Sequence, residues 1–400
     1  MTADLIETRI ATLGQRGEGV TEIDDEKIYV PFTLPGEDVD ITIDGDRGTL
    51  VALLTRSPHR IEPFCPHFGL CGGCQIQHLD RASYVGFKVG LLQTALARAD
   101  IETLVGPMLD AQGNGRRRAT LHAQKSGAGF MAARSHALHD IDLCPILVPA
   151  LAKAPAIARA AYAALGDCNV AFTASLTGLD IAIHTEKKTR PERLPPIAQR
   201  FALARLSLNS ELVVQAQAPV LKMGTALMEL PLQSFLQATE AAEETLSTLV
   251  VEALKGSRNI ADLFCGVGPF ALRLAQTTKV FAADSDKAGI AALTRAHNNT
   301  RGLKAIDARR RDLFREPLMA VELASYDGIV FDPPRVGAEA QARQLAQSRV
   351  KTVVAVSCDP KTFARDAALL IEGGYRLESV TPVDQFAFST HLEVVGVFRR

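Results

Sequence analysis

The sequence predicts an α/β protein of two or three domains, with a doubly wound parallel sheet in its C-terminal part. Its 400 residues exceed the roughly 100–200 residues of one domain. Short β-rich runs separated by turns occupy residues 1–57, and after residue 230 short apolar strands alternate with helical segments. This alternation is typical of a parallel sheet covered by helices.

Composition and cysteine content narrow the class of protein. Hydrophobic residues make up 47% and charged residues 22%, which is ordinary for a globular protein. The acidic start of the chain is unlike a signal peptide, and no apolar run is long enough to span a membrane. We therefore expect a soluble cytoplasmic protein. In that reducing compartment, an odd count of 7 cysteines favours metal binding or catalysis over disulfides.

Residues 1–57 predict a small β-barrel, because strand-like runs recur between glycine and proline turns. The segment carries 5 basic and 12 acidic residues. A polyanion should therefore bind elsewhere, near the basic runs at 116–118, 187–190 and 309–311. Each run also fits an ordinary solvated surface.

Residues 58–230 predict a mixed α+β domain with a helix at 84–99 and short strands between 115 and 225, including 170–176 and 206–214. Its first part, 57–74, is rich in proline, glycine, histidine and cysteine and indicates a loop shaped by ligands. Cys65, Cys71, Cys74 and the distant Cys144 supply four thiols, enough for either zinc or a [4Fe–4S] cluster.

Residues 231–400 predict the doubly wound sheet. We expect helices at 238–254 and 270–275 and strands at 259–264, 280–283, 328–331, 352–357 and 393–398. Such sheets bind ligands at the carboxyl ends of their strands. The glycine-rich turn at 262–271 also fits a nicotinamide dinucleotide site, and Asp284 could bind ribose hydroxyls under either interpretation.

Two further strands end in residues suited to chemistry. Asp332 begins a rigid Asp-Pro-Pro turn, and Cys358 precedes Asp359 and Pro360, a good cap and first residue for a helix. The positive end of that helix should lower the pKa of the Cys358 thiol and make it a nucleophile. The alternative is a small buried side chain at a strand end.

The blocks at 262–270, 332–335, 357–360 and 391–393 together resemble the RNA 5-methyluridine methyltransferase family, a class I (Rossmann-like) fold that uses S-adenosylmethionine. Residues 14–37 resemble its N-terminal TRAM barrel and 65–79 its iron–sulfur segment. Arg335 stands where the Asp-Pro-Pro-aromatic amino methylases have an aromatic residue, so the resemblance to those enzymes is weaker.

The resemblance implies a set of roles. Cys358 would add to C6 of uracil and Glu393 would remove the C5 proton, although Glu393 also fits a solvated strand residue. The residues that match cofactor contacts of the family are Gln237, Phe264, Asp284 and Asp332. Thr239 and Pro269 depart from the asparagines that the family often has there.

The resemblance also favours a [4Fe–4S] cluster on Cys65, Cys71, Cys74 and Cys144, and leaves Cys168 and Cys265 structural. Members with both the barrel and four such cysteines resemble the 23S ribosomal RNA enzymes. We therefore expect a monomer that methylates C5 of a uridine in structured RNA, 23S ribosomal RNA, with no membrane partner. The alternatives are a transfer RNA enzyme and a non-catalytic RNA-binding or assembly protein. The acidic barrel is unlike an RNA-gripping module.

Overall fold

The computed structural model describes residues 5–133, 135–187 and 190–400. It confirms the predicted fold class: an N-terminal β-barrel, a mixed central α+β region and a C-terminal Rossmann-like sheet covered by helices. No helix in these ranges is long and apolar enough to cross a membrane.

The N-terminal strands form one sheet in the order β1-β5-β6-β4-β3-β2. Because β1 and β2 are consecutive in the chain yet pair with β5 and β3, they close the sheet into a barrel. A buried ion pair between Glu37 and Arg60 (2.5 Å) ties the barrel to the cysteine-rich segment that follows it. The strands are β1 (Ile6–Arg9), β2 (Thr12–Leu13), β3 (Gly19–Ile23), β4 (Glu26–Val30), β5 (Asp38–Asp44) and β6 (Arg47–Leu53).

The central region is built on a sheet with the order β10-β9-β8-β11-β12-β13-β14, which α2 covers on one face. Its elements are α1 (Arg81–Ala97), β7 (Leu109–Asp110), β8 (Arg118–Gln124), β9 (Gly127–Met131), β10 (Leu138–Asp140), α2 (Ala154–Leu165), β11 (Cys168–Ser175), β12 (Gly178–His184), α3 (Pro195–Arg200), β13 (Arg205–Leu208), β14 (Glu211–Gln215), β15 (Val220–Met223) and β16 (Ala226–Glu229). The run predicted at 206–214 is a hairpin, because Asn209 and Ser210 turn the chain at φ 48° and 71°.

The C-terminal sheet has the order β19-β18-β17-β20-β21-β23-β22-β7. Its elements are α4 (Glu240–Ala253), β17 (Asn259–Leu263), α5 (Pro269–Leu274), β18 (Lys279–Asp284), α6 (Lys287–Asn299), β19 (Ile306–Arg310), α7 (Ala320–Leu323), β20 (Gly328–Phe331), α8 (Glu339–Gln347), β21 (Thr352–Ser357), α9 (Pro360–Glu372), β22 (Arg376–Asp384) and β23 (Glu393–Arg399). The predicted doubly wound sheet is parallel except at β23, which runs antiparallel to β21 and β22. The connection from β22 to β23 is too short for the crossover that parallel pairing needs.

Two elements from the predicted central range pack on this C-terminal sheet. Helix α1 contacts α9, and β7 pairs in parallel with β22, with Leu109 opposite Val383. Leu92 and Leu96 of α1 share a buried cluster with residues of β20 and β21. The domain boundaries at 57 and 230 stay predictions.

A buried ion pair fixes α1 to the loop that leaves β22. Lys88 and Asp384 are both fully buried, and Nζ lies 2.5 Å from Oδ1. Tyr84 donates its hydroxyl hydrogen to Asp384 Oδ2 (2.6 Å), and Gln112 donates its side-chain amide to the same oxygen (2.8 Å). Lys88 also donates to the backbone oxygen of Phe386 (3.0 Å). The start of the loop 385–392 is therefore held from two sides.

We expect Lys88→Met to destabilise the protein by about 3–5 kcal/mol, because the Asp384 carboxylate would stay buried without its cation. Urea denaturation followed by circular dichroism measures the change as a lower midpoint. Lys255, which is 77% exposed in its pair with Glu252, provides the control, since Lys255→Met should leave the midpoint nearly unchanged. Equal midpoints for the two variants would contradict this role of the buried pair.

Candidate active site

The carboxyl edge of the C-terminal sheet gathers the residues that the sequence singled out. Phe264, Asp332 and Cys358 each follow the last residue of a strand, β17, β20 and β21 respectively. Glu393 opens β23, and the antiparallel register places Val394 opposite Ser357. The next pair outward along this register is therefore Cys358 and Glu393. Pairing direction, which the sequence did not predict, brings these two side chains together.

The turn after β17 is shaped for close approach by a ligand. Phe264 has φ 61°, a left-handed conformation that is strained in a residue with a side chain. Gly268 has φ 82°, and a Cβ there would lie 2.5 Å from Leu293. Asp284 accepts a hydrogen bond from the backbone N–H of Gly266 (2.9 Å) and so fixes the turn from the neighbouring strand. Both Phe264 and Asp284 stay partly exposed at this edge.

A chain of buried side-chain hydrogen bonds connects the predicted base with the predicted cofactor contacts. Gln385 donates to Glu393 Oε1 (2.8 Å) and to Gln237 Oε1 (2.6 Å). Gln237 in turn donates to Asp332 Oδ2 (3.3 Å). Glu393 Oε2 is buried and has no hydrogen-bond partner among the described residues. The site therefore holds a carboxylate with one fixed oxygen and one free oxygen.

Three carboxyl groups make this crevice acidic: Asp262 and Glu393 are buried, and Asp332 is half-buried. Burial raises the pKa of Asp262 well above its usual range, and the neighbouring Asp332 and Asp284 add to the effect. Burial also raises the pKa of Asp332 and of Glu393, and Asp332 raises that of Glu393 further. Such a set of groups favours a bound cation, because positive charge stabilises their ionised forms.

The predicted lowering of the Cys358 pKa is wrong. Burial, followed by the carboxylates of Glu393 and Asp332, raises the pKa of this thiol to about 11, while Arg335 acts in the opposite direction. Asp359 caps α9 as predicted and accepts hydrogen bonds from the N–H groups of Lys361 (2.8 Å) and Thr362 (3.3 Å). The helix begins as predicted, but burial and the charges of Glu393 and Asp332 decide the direction of the Cys358 pKa.

The two departures from the family pattern have structural roles. Thr239 caps α4: its hydroxyl accepts from Ala242 N (2.9 Å) and donates to Ala111 O (2.6 Å). Pro269 is the first residue of α5, a position where its missing N–H costs nothing. Neither side chain contacts the chain of hydrogen bonds described above.

The cysteines predicted to bind metal line one cavity between the cysteine-rich segment and the central sheet. Cys65, Cys71, Cys74 and Cys144 contribute to the lining of this cavity, whose volume is about 110 Å³. Burial raises the pKa of Cys74 to about 12 and that of Cys144 to about 11, so in the metal-free chain both are thiols. Within the described ranges, no set of three or more histidine, cysteine, aspartate or glutamate side chains is arranged to hold a metal ion.

The remaining cysteines and the basic runs lie elsewhere. Cys168 and Cys265 are buried outside this cavity. Arg117 is 6% exposed and pairs with Glu243 (2.6 Å), so the run 116–118 is not the free basic surface that was expected. Arg309 and Arg311 are paired with acidic side chains. Lys187 pairs with Asp167, and residues 188 and 189 of that run lie outside the described residues.

Gln385 was not predicted to belong to the site, and Arg335 was considered only as a difference from the amino methylases. Gln385 is 1% exposed and follows the end of β22, a strand that runs parallel to β21. The position of Gln385 at the carboxyl end of a strand was the feature that could have identified it as a site residue. The antiparallel direction of β23 was needed to recognise which strand ends share the edge.

Comparisons with known proteins identify the relatives of this chain. A family model described as tRNA (uracil-5-)-methyltransferase matches residues 197–400. An uncharacterized RNA methyltransferase of Brucella suis is 44% identical over 98% of this chain and 97% of its own length. The 23S rRNA (uracil(1939)-C(5))-methyltransferase RlmD of Halomonas elongata is 32% identical over 96% of this chain and 87% of its own.

A solved structure has the same fold over its whole length. The Pyrococcus abyssi tRNA (uracil-54, C5)-methyltransferase, in complex with S-adenosyl-L-homocysteine, gives a TM-score of 0.78 at 22% identity and covers 98% of this chain and 99% of its own. This structure shows the fold, whereas the family model and the relatives aligned over nearly the whole chain show the family. The chain therefore belongs to the tRNA (uracil-5-)-methyltransferase family and is an RNA methyltransferase.

Proposed function

We propose that this protein methylates C5 of a uridine in 23S ribosomal RNA through a covalent bond between Cys358 and C6. The observation that carries the proposal is the antiparallel register of β21 and β23, which sets a thiol beside a buried carboxyl group. Gln237 and Asp332 lie on the other side of that carboxyl group, joined to it through Gln385.

The reaction needs a nucleophile and a base because C5 of uracil is only weakly nucleophilic. The Cys358 thiolate bonds to C6, and the electrons of the C5–C6 double bond move into the ring as an enolate. Bound S-adenosylmethionine supplies an electrophilic methyl group on a cationic sulfonium. After C5 has taken that methyl, Glu393 removes the C5 proton, the double bond re-forms, and Cys358 leaves as the thiolate.

The acidic crevice fits this order of events. In the chain alone Cys358 is a thiol, because burial and two carboxylates disfavour its anion. Arg335 and a bound cation are the positive charges that favour the ionised forms of Cys358 and Glu393. A raised pKa also suits Glu393 to hold a proton after removing it from carbon.

Ribosomal RNA is proposed because the 32% identical Halomonas relative is named for 23S rRNA. Transfer RNA is the competing substrate, since the Pyrococcus enzyme with the same fold is named for it. That enzyme matches 98% of the chain, so possession of an N-terminal β domain does not by itself separate the two substrates. A non-catalytic RNA-binding role would leave the pairing of Cys358 with Glu393 without a purpose.

A [4Fe–4S] cluster on Cys65, Cys71, Cys74 and Cys144 is part of the proposal. The support is the cavity that all four cysteines line. Zinc would need four sulfurs about 2.3 Å from one point, whereas a cubane spreads its ligands over separate irons. The cluster would crosslink the segment after the barrel to the central sheet, and it takes no part in the steps above.

We expect the wild-type protein to form a covalent adduct with a 23S rRNA fragment carrying 5-fluorouridine and none with similarly substituted tRNA, because fluorine at C5 cannot be removed as a proton. Cys358→Ala should bind S-adenosylmethionine yet form no adduct. Denaturing gels measure the adduct, and Cys168→Ala, which removes another buried thiol, should behave as wild type. An adduct with tRNA alone would show that tRNA is the substrate. An adduct formed by Cys358→Ala would show that Cys358 is not the nucleophile.

We expect Glu393→Gln to lower turnover by about 100-fold or more and to leave the enzyme bound to methylated RNA. A carboxamide does not remove the C5 proton, so the cysteine is not expelled. Gel analysis of the trapped complex and tritium release from 5-tritiated uridine both report this step. Glu378→Gln changes an exposed glutamate of β22 and should not trap RNA. Normal turnover by Glu393→Gln would show that another group is the base.

We expect anaerobically purified protein to contain about four irons and four sulfides per chain, as a [4Fe–4S] centre requires. Cys144→Ala should lose most of this iron, because one ligand is gone, while Cys168→Ala should retain it. Iron and sulfide assays with absorption spectra measure both. Stoichiometric zinc without sulfide would show that these cysteines bind a structural zinc ion and not a cluster.

A further inference from the structure

The side chain of Gln385 lies between Gln237 and Glu393, two residues with proposed roles, and donates a hydrogen bond to each. It is 1% exposed. Its Nε2 lies 2.6 Å from Gln237 Oε1 and 2.8 Å from Glu393 Oε1. Its Oε1 accepts a hydrogen bond from the backbone N–H of Ala238 (2.7 Å). Both amide hydrogens and the amide oxygen of Gln385 are therefore used inside the protein.

The backbone N–H of Ala238 fixes which way the Gln385 amide points. An N–H group only donates, so the atom facing Ala238 must be the amide oxygen, and the NH₂ group must face Gln237 and Glu393. Gln237 then uses its oxygen as an acceptor, which leaves its own NH₂ group to donate to Asp332 (3.3 Å). One backbone hydrogen bond thus sets the direction of the whole chain.

This direction has a consequence for Glu393. Its Oε1 is held by Gln385, while Oε2 is buried and has no partner among the described residues. Oε2 is therefore the oxygen available to a proton on the substrate. An N–H group that donates to a carboxylate stabilises the ionised form, which is the form a base needs.

Gln385 is held firmly enough for this task. Its predecessor, Asp384, is fixed by Lys88, and the backbone oxygen of its successor, Phe386, accepts a hydrogen bond from the same lysine (3.0 Å). The charged and titratable groups that face Glu393 are Asp332 and Cys358, which are acidic, and Arg335, which is basic. Among the described contacts, the hydrogen bond that Glu393 accepts comes from Gln385.

We propose that Gln385 is a positioning residue: it favours the ionised form of Glu393, with Oε2 toward the substrate, and orients the Gln237 amide toward Asp332. This inference rests on the proposed role of Glu393 as the base. Gln385 acts in this proposal through Glu393 and Gln237, and it contacts neither the reacting carbon nor the thiol.

The experiment measures tritium release from 5-tritiated uridine RNA against pH for wild type, Gln385→Met and Gln385→Glu. Methionine has a similar length but does not donate. We expect the acid limb of the profile to move up by about one to two pH units, because a hydrogen bond to a charged group is lost and the pKa of the base rises. Adduct formation with 5-fluorouridine RNA, which needs no proton removal from C5, should persist.

Gln385→Glu keeps the size of the side chain and should fold even if the methionine variant does not. Its added carboxyl group faces Glu393, so the acid limb should move in the same direction. The matched control is Gln112→Met, which removes another amide hydrogen bond to a carboxylate, that of Asp384, and should leave the limb in place. An unchanged limb in both Gln385 variants, or an equal shift in Gln112→Met, would overturn the proposal. Normal tritium release by Glu393→Gln would instead refute the base itself.

Discussion

The buried pair of Lys88 and Asp384 joins parts of the chain that are 296 residues apart, and the arrangement of the site depends on it. Lys88 lies on α1, which follows the cysteine-rich segment, and Asp384 ends β22, just before the loop that leads to Glu393. Two charges removed from water stay stable only while they stay together. The cysteine-rich segment, α1 and the loop 385–392 therefore have little freedom to move independently.

The electrostatics of the crevice follow from the same construction. The strand ends meet at one edge of the sheet, and three carboxyl groups lie at or next to that edge: Asp262 and Glu393, which are buried, and Asp332, which is half-buried. Burial disfavours the ionised form of each group, and the charge of Asp332 further disfavours the ionised forms of Asp262 and Glu393. The protonation of this edge is thus linked to whatever cation binds there.

Much of the fold could be predicted from local patterns. Strands β20 and β21 have the predicted bounds, because short apolar runs end there in Asp-Pro-Pro and Ser-Cys-Asp-Pro. The direction of β23 was not predicted, because β22, whose short connection to β23 excludes parallel pairing, was not among the expected strands. Asp359 was correctly expected to cap α9, yet the predicted direction of the Cys358 pKa was wrong because burial, followed by carboxylates from other strands, raises it. Gln385 was missed for a similar reason: one of its partners is 148 residues away.

The strand β7 covers the edge of β22 with only two residues, yet it comes from a part of the chain far before the rest of the sheet. Together with α1, it completes the C-terminal sheet from outside the range 231–400. A fragment limited to that range would leave the N–H and C=O groups at the end of β22 unpaired and uncover the apolar face on which Leu92 and Leu96 pack. An exposed edge beside an apolar patch invites pairing with other chains. The C-terminal sheet therefore depends for its last strand, and for the cover of one apolar face, on residues 81–110, which lie within the predicted central range.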